Sequence, residues 1–252
     1  MSCPICGKRP PKRFCPAKGE KICAVCCGRE REVSIDCPLD CSYLIAAHRY
    51  EREQRDGEQR KPPTPGHDPS KDYPYKDVEF SVEFVYQHWP LVAGIATAIL
   101  TFQSQYKDLR DSEIFTATER LAETYRTLGT GIYYERPPEA LLPAALYNEI
   151  QRFLHEFRQA EAAHSGFSSL QSGFTPAQGG FTSVQSGFSS LKDSEIFQLF
   201  VFLLRMNKAE SSNRPRSRAF IEFLRARFAL RNGAAAGSPA AAAPEASRII
   251  IP

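Results

Sequence analysis

Eight cysteines stand at Cys3, Cys6, Cys15, Cys23, Cys26, Cys27, Cys37 and Cys41, and the 211 residues that follow contain none. Two pairs, "CPIC" at 3–6 and "CAVC" at 23–26, have the C-x2-C spacing in which one tight turn directs both sulfurs to an ion about 2.3 Å away. Eight thiolate ligands make two four-sulfur sites, so the expected cofactor is Zn²⁺, two ions per chain. Adjacent side chains diverge, which assigns Cys26 and Cys27 to different ions. One partition gives Cys3, Cys6, Cys23 and Cys26 to the first zinc and Cys15, Cys27, Cys37 and Cys41 to the second. Exchanging Cys26 with Cys27, or Cys15 with Cys23, gives the alternatives. Four cysteines close a zinc's coordination, so structural zinc is expected rather than a catalytic ion with an open position. The competing chemistries are a thiol redox switch and an iron–sulfur cluster. Neither C-x-x-C lies in a βαβ pattern, and thiolates already on a metal are poor free nucleophiles.

The elements that must position these ligands cannot rely on a core of their own. A segment of about 40 residues buries too little apolar surface to fold without cross-links or metal. The opening "MSCPICGKRPPKRFC" lacks an apolar signal-peptide region, so the expected compartment is cytoplasmic, where clustered thiols bind metal rather than form disulfides. The longest apolar run, "PLVAGIATAIL" at 90–100, is about half the length that crosses a bilayer, and no membrane partner is expected. The formal charge is +3 with neutral thiols; eight thiolates and two zincs change it to −1, which gives little support to nonspecific nucleic-acid binding. Lys8, Arg9, Lys12, Arg13, Lys18 and Lys21 lie among the early ligands. Compensation of the excess thiolate charge accounts for them most simply; a phosphate-facing patch is the functional alternative.

The run from Cys3 to Glu53 resembles the amino-terminal part of an uncharacterised bacterial family that joins an eight-cysteine zinc-binding segment to a carboxyl-terminal helical domain. It is more loosely similar to cross-braced fingers of the MYND and HIT type, most of which are protein-interaction modules. Cys3/Cys6 and Cys23/Cys26 or Cys27 carry that second pattern, from which the chain departs by a lone Cys15 and the lack of a ligand histidine. The resemblance implies no known activity.

After Cys41, "SYLIAAHRYEREQRDGEQR" reads as a helix with Tyr43, Leu44 and Ala47 toward the finger, Arg49, Glu51, Arg52, Glu53 and Arg55 toward water, and a fade by Gly57. His48 reads as a surface or packing residue. The cysteine module with this helix occupies 1–60, a proline-rich linker 61–77, a helical domain 78–231 and a low-complexity tail 232–252. "VEFSVEF" suits a strand or a helix, and helix is preferred because no second convincing strand exists. "LRDSEIF" at 109–115 recurs as "LKDSEIF" at 191–197, each opening a helix with Asp111 or Asp193 as the expected N-cap. Ile114, Ala117, Leu121, Tyr125 and Leu128 form one packing stripe, and Leu142, Leu146, Ile150, Phe153 and Phe157 another. "IFQLFVFLLRM" is apolar on nearly every side and belongs at the centre, with Phe220, Ile221, Leu224 and Phe228 on its partner helix. Four seven-residue repeats at 165–192, each with a phenylalanine, read as a Gly/Ser-rich loop.

The expected fold is therefore mainly α: a small two-zinc finger, a linker, then five or six helices containing two related helix-turn-helix-like units. Tyr133, Tyr134, Glu135, Arg136 and Arg214 are the tempting pocket residues, but no nucleophile and general base share a recognisable spacing, and no enzyme activity is expected. The expected function is a zinc-binding interaction or scaffold module with a protein partner. A nucleic-acid-binding regulator using the basic cluster, and a thiol-based redox or metal sensor, are the alternatives. Oligomeric state is left open.

Overall fold

Gly7 follows the "CPIC" turn at φ +64°, a left-handed position that a residue without Cβ adopts at no steric cost. The computed structural model describes residues 2–59, 73–170, 191–212 and 214–228. From this turn the chain enters an antiparallel hairpin, β1 (Arg13–Cys15) and β2 (Glu20–Ile22), with Phe14 opposite Lys21. Strands of three residues carry too little alternation to be read from sequence, and none was expected here. Helix α1 (Ala24–Glu30) follows, then a turn at 31–35, and then α2 (Ser42–Gln59). Helix α2 runs past Gly57, since one glycine costs about 1 kcal/mol and does not by itself end a helix.

The remaining elements are all helical: α3 (Val82–Gln87), α4 (Trp89–Gln105), α5 (Asp111–Leu128), α6 (Leu141–Leu170), α7 (Asp193–Glu210) and α8 (Ala219–Phe228). Helix wins over strand at the ambiguous "VEFSVEF" because Ser81 caps α3, its Oγ accepting the Phe84 N–H at 3.1 Å. Pro90 lies in the first turn of α4, where its missing N–H costs nothing. The chain is thus mainly α-helical, with a small cysteine-rich β-containing region ahead of a multi-helix region. No helix among the described residues is long and apolar enough to cross a membrane.

Helix α7 is the centre of the core, with Ile196, Leu199, Phe200, Val201, Phe202, Leu203 and Leu204 all buried. A helix apolar on every side has to be surrounded. Its largest contact is with α5, so the two helices opened by the "DSEIF" echo lie against each other, with Tyr125 and Phe200 in ring contact at 5.7 Å. The α5 stripe is buried from Ile114 to Tyr125, and Leu146, Ile150 and Leu154 turn α6 toward the same core.

The echo is capped differently from expectation. The N-caps are Arg110 and Lys192, and Asp111 and Asp193 occupy the first helical position. The back-bond comes from the third position: Glu113 accepts the Arg110 N–H at 2.7 Å and Glu195 the Lys192 N–H at 2.8 Å. The two aspartates are thereby free for other work. Asp193 pairs with Arg158, whereas Asp111 accepts the N–H groups of Phe220 and Ile221 at 3.1 and 3.3 Å and so caps α8 from another helix.

Helix α6 continues to Leu170, so the repeat expected to be a loop from 165 begins inside a helix. Propagating an existing helix adds a hydrogen bond for each residue fixed, which offsets the cost of Gly166. Repeats beyond 170, the linker from 60 to 72 and the tail from 229 lie outside the described residues.

Helices α4 and α6 approach closely at Gly94, where a Cβ would fall 2.2 Å from Phe153 Cζ. Gly94→Ala is expected to lower the unfolding free energy by about 1 kcal/mol through overpacking. In a Phe153→Ala background the same change is expected to stabilise by about 0.5–1 kcal/mol through helix propensity. A urea-unfolding double-mutant cycle measures this change of sign.

Candidate metal centre and its junction with the helical domain

The first chelating pair hangs on the turn closed by Gly7, and the second on the start of α1. Cys23 is the N-cap of that helix and Cys26 lies in its first turn, so their Sγ atoms face the same side. The hairpin between the pairs reverses the chain and brings them together. Cys3, Cys6, Cys23 and Cys26 place their sulfurs within 4.8 Å of one another. Cys6 Sγ and Cys23 Sγ are 3.9 Å apart; corners of a tetrahedron about 2.3 Å from a zinc lie about 3.8 Å apart. The donor set therefore fits a four-thiolate metal ion, and this cluster is one of the partitions that spacing allowed.

Backbone amides surround these sulfurs. The Cys23 N–H donates to Cys3 Sγ at 3.3 Å and the Cys26 N–H to Cys23 Sγ at 3.4 Å. The amides of Lys8 and Arg9 favour thiolate at Cys6 and, with smaller help from neighbouring thiols, outweigh burial to bring its pKa down to about 6. At Cys3 burial works upward, but the amides of Cys23, Cys6 and Ile5 win and lower it. Cys26 is pushed up to about 12, first by burial and then by the neighbouring thiols of Cys23, Cys6 and Cys3. The cluster is built to hold negative charge, yet it resists the last ionisation, and a divalent cation among the sulfurs is what would permit it.

Cys15, Cys37 and Cys41 are buried and Cys27 half-buried, but they do not converge as the first four do. They come from three places: the end of β1, helix α1, and the turn into α2. Cys37 is pushed up to about 11, chiefly by burial, with Cys41 and Cys15 near enough to add to the effect.

The cysteine region is locked to the helices by groups to which sequence reasoning gave no such role. His48, read as a surface or packing residue, is 2% exposed. Its Nε2 lies 2.9 Å from Glu32 Oε2 and its Nδ1 2.5 Å from Glu222 Oε2. Burial alone would lower the imidazolium pKa, but the Glu222 and Glu32 carboxylates together raise it to about 9. The signal was available in α2: His48 stands four residues beyond Leu44, on the same buried stripe.

Glu32 is held from every side at φ +55°. Its backbone carbonyl accepts the Arg216 N–H at 2.9 Å, and its Oε1 accepts the Arg218 N–H at 2.8 Å. A left-handed non-glycine residue costs on the order of 1–3 kcal/mol, and surrounding contacts of this kind are what keep it there.

Three alternate arginines in "RPRSR" complete the junction. Arg214 donates to the carbonyls of Gly28 and Arg31 at 3.2 and 2.6 Å, Arg216 to that of Ser34 at 3.4 Å, and Arg218 to that of Cys37 at 3.1 Å. Buried Arg218 also pairs with Asp36. Arg214 is therefore a tie to the cysteine region rather than a pocket residue. From α2, Arg55 donates to the carbonyls of Ala209, Ser211 and Glu210 at the end of α7, and Arg52 pairs with Glu210. Glu51 pairs with Arg31 and Arg214. These three α2 residues were expected to face water, but their side of the helix lies on the end of α7 and the arginine-rich loop.

The other tempting segment stands apart. Tyr133 is 71% exposed and Tyr134 is exposed too. Glu135 accepts hydrogen bonds from Tyr133 and from Tyr147, which is buried. The segment displays its tyrosines outward instead of closing a pocket around them.

No protein family, curated protein or solved structure matches the chain.

Folded His48 keeps its proton to about pH 9, whereas a free histidine releases it near 6.5. Its stabilising contribution is therefore full below pH 6.5, declines as pH rises and is lost through pH 9. Between pH 6.5 and 9, the urea midpoint of the wild-type chain is expected to fall relative to that of His48→Gln. Parallel profiles would remove a protonated imidazole from the junction.

Proposed function

We propose that the chain is a zinc-folded interaction module that acts by binding rather than catalysis, with two Zn²⁺ fixing the cysteine region as a rigid surface carried on the helical bundle. The observation that carries this reading is the convergence of Cys3, Cys6, Cys23 and Cys26 within 4.8 Å. Four sulfurs leave the ion no open coordination position, so its contribution is to folding, on the order of 10 kcal/mol for small structural sites. The second ion would be held by Cys15, Cys27, Cys37 and Cys41. What supports it is the burial of three of these thiols and the electrostatic proximity of Cys37 to Cys15 and Cys41. The helices supply more than a tether in this reading: the arginines of 214–218 hold the backbone of the cysteine region, leaving the far side of the finger for a partner.

Protein purified under reducing conditions is expected to carry two zincs per chain by metal analysis and native mass measurement. Cys6→Ser is expected to lose one, and Cys37→Ser the other. Stripping the metal is expected to abolish amide-exchange protection across residues 3–41 while the α5–α7 core keeps its own. The reading fails if the purified protein holds no metal, or if residues 3–41 stay equally protected without it.

A further inference from the structure

The hairpin part of the finger has a distinct charge. With thiols counted as neutral, residues 8–21 carry net +5 while the whole chain carries +3, so the remaining residues together are net −2. Lys8, Arg9, Lys12, Lys18 and Lys21 are exposed, and none makes a side-chain hydrogen bond or ion pair among the described residues. The sixth cation, Arg13, lies over the Tyr43 ring at 4.8 Å. Backbone amides, not ammonium groups, donate to the sulfurs, so any compensation of thiolate charge by the five acts through space and leaves their charged heads open to a ligand. Elsewhere, guanidinium groups such as those of Arg31, Arg158, Arg205 and Arg218 are held by carboxylates or carbonyls.

An aromatic ring stands among these free cations. Strand alternation puts Arg13 and Cys15 on the inner face of β1 and Phe14 on the outer one. Phe14 is 53% exposed and directly opposite Lys21. The Lys12 N–H donates to the Ile22 carbonyl at 3.0 Å, which continues the hairpin and fixes the start of the basic edge. A rigid, half-exposed ring flanked by unpaired cations matches the two requirements for holding a single strand: phosphate attraction and a stacking platform. A duplex partner fits less well, because the neighbouring helix α1 has only seven residues, too short to lay a reading surface along a groove.

We propose that this hairpin face binds single-stranded nucleic acid, with Lys8, Arg9, Lys12, Lys18 and Lys21 meeting phosphates and Phe14 stacking on a base. The proposal deepens the interaction reading above and rests on it, since the hairpin is framed by cysteines of the metal-binding region.

The test uses the zinc-loaded full chain and a fluorescein-labelled 12-nucleotide oligothymidylate, with anisotropy read across a salt series. Binding is expected with a Kd on the order of 10⁻⁴–10⁻⁶ M at physiological salt, tightening as salt is lowered. Five cations meeting phosphates predict a log–log salt slope of about −3.5. Phe14→Ala is expected to weaken binding about tenfold with the slope unchanged, as loss of one stacked base requires. Lys12→Ala/Lys21→Ala is expected to make the slope shallower. All these side chains are exposed, and unchanged zinc content and urea midpoint establish that each variant is folded. Absence of binding by folded, zinc-loaded protein overturns the proposal and leaves the metal-folded module standing. Full binding by Phe14→Ala, or competition by polyglutamate as effective as by unlabelled oligonucleotide, overturns it in favour of an acidic protein surface; tighter binding to the duplex overturns the single-strand preference. A chain without zinc instead fails the underlying reading.

Discussion

Four sulfurs brought within 4.8 Å make an electrostatic demand that the polypeptide alone does not meet. Amides can stabilise some thiolate character, as they do at Cys3 and Cys6, but burial and the crowded neighbours keep Cys26 protonated. A divalent ion resolves the conflict by replacing thiol protons with one shared charge. The hairpin, the first turn of α1 and the Gly7 turn are the three pieces of backbone this arrangement joins. Beyond the sulfurs, their apolar support comes from little more than Ile22, Ile35 and Leu44. The metal-binding geometry is therefore the constraint that gathers the Gly7 turn, the hairpin and the start of α1 around one point.

A second constraint acts from outside the cluster. Glu32 adopts a conformation unfavourable for a side-chain-bearing residue, and its carboxylate meets His48 of α2 and the backbone of 218. Helix α2 consequently has two jobs along one length. Leu44 fills the finger, His48 bridges the two regions, and Arg52 and Arg55 close the end of α7. The last turn of α7 leaves carbonyls without helical partners, and the Arg55 guanidinium meets them there. The cysteine region is thereby held as part of a continuous polar and apolar framework.

Much of this was written locally in the chain. The paired C-x2-C spacing indicated a metal cluster, the 3–4 spacing in α5 marked its buried stripe, and the near-uniform apolarity of α7 placed it at the centre. Each signal is a repeat over a few residues. The junction has no such repeat: His48 meets partners 16 and 174 positions away, and Glu32 looks like any surface acid in "GREREVS". Asp111 misled for a related reason. A carboxylate at a helix start normally caps its own helix, whereas here Glu113 performs the local task and Asp111 serves α8. Pairing of buried charges over long separations depends on tertiary packing, which a local pattern does not encode.

The arginine-rich loop at 214–218 also sets an order of events during synthesis. The cysteine turns, hairpin and α1 are complete within the first 30 residues and can gather a metal ion early. The groups that close around Glu32 come from Ser212, Arg216, Arg218 and, through His48, Glu222. Until that late stretch has emerged from the ribosome, the strained turn lacks its counterweight. The amino-terminal region can thus be metallated long before it is locked, and the final closure is a long-range step of high contact order.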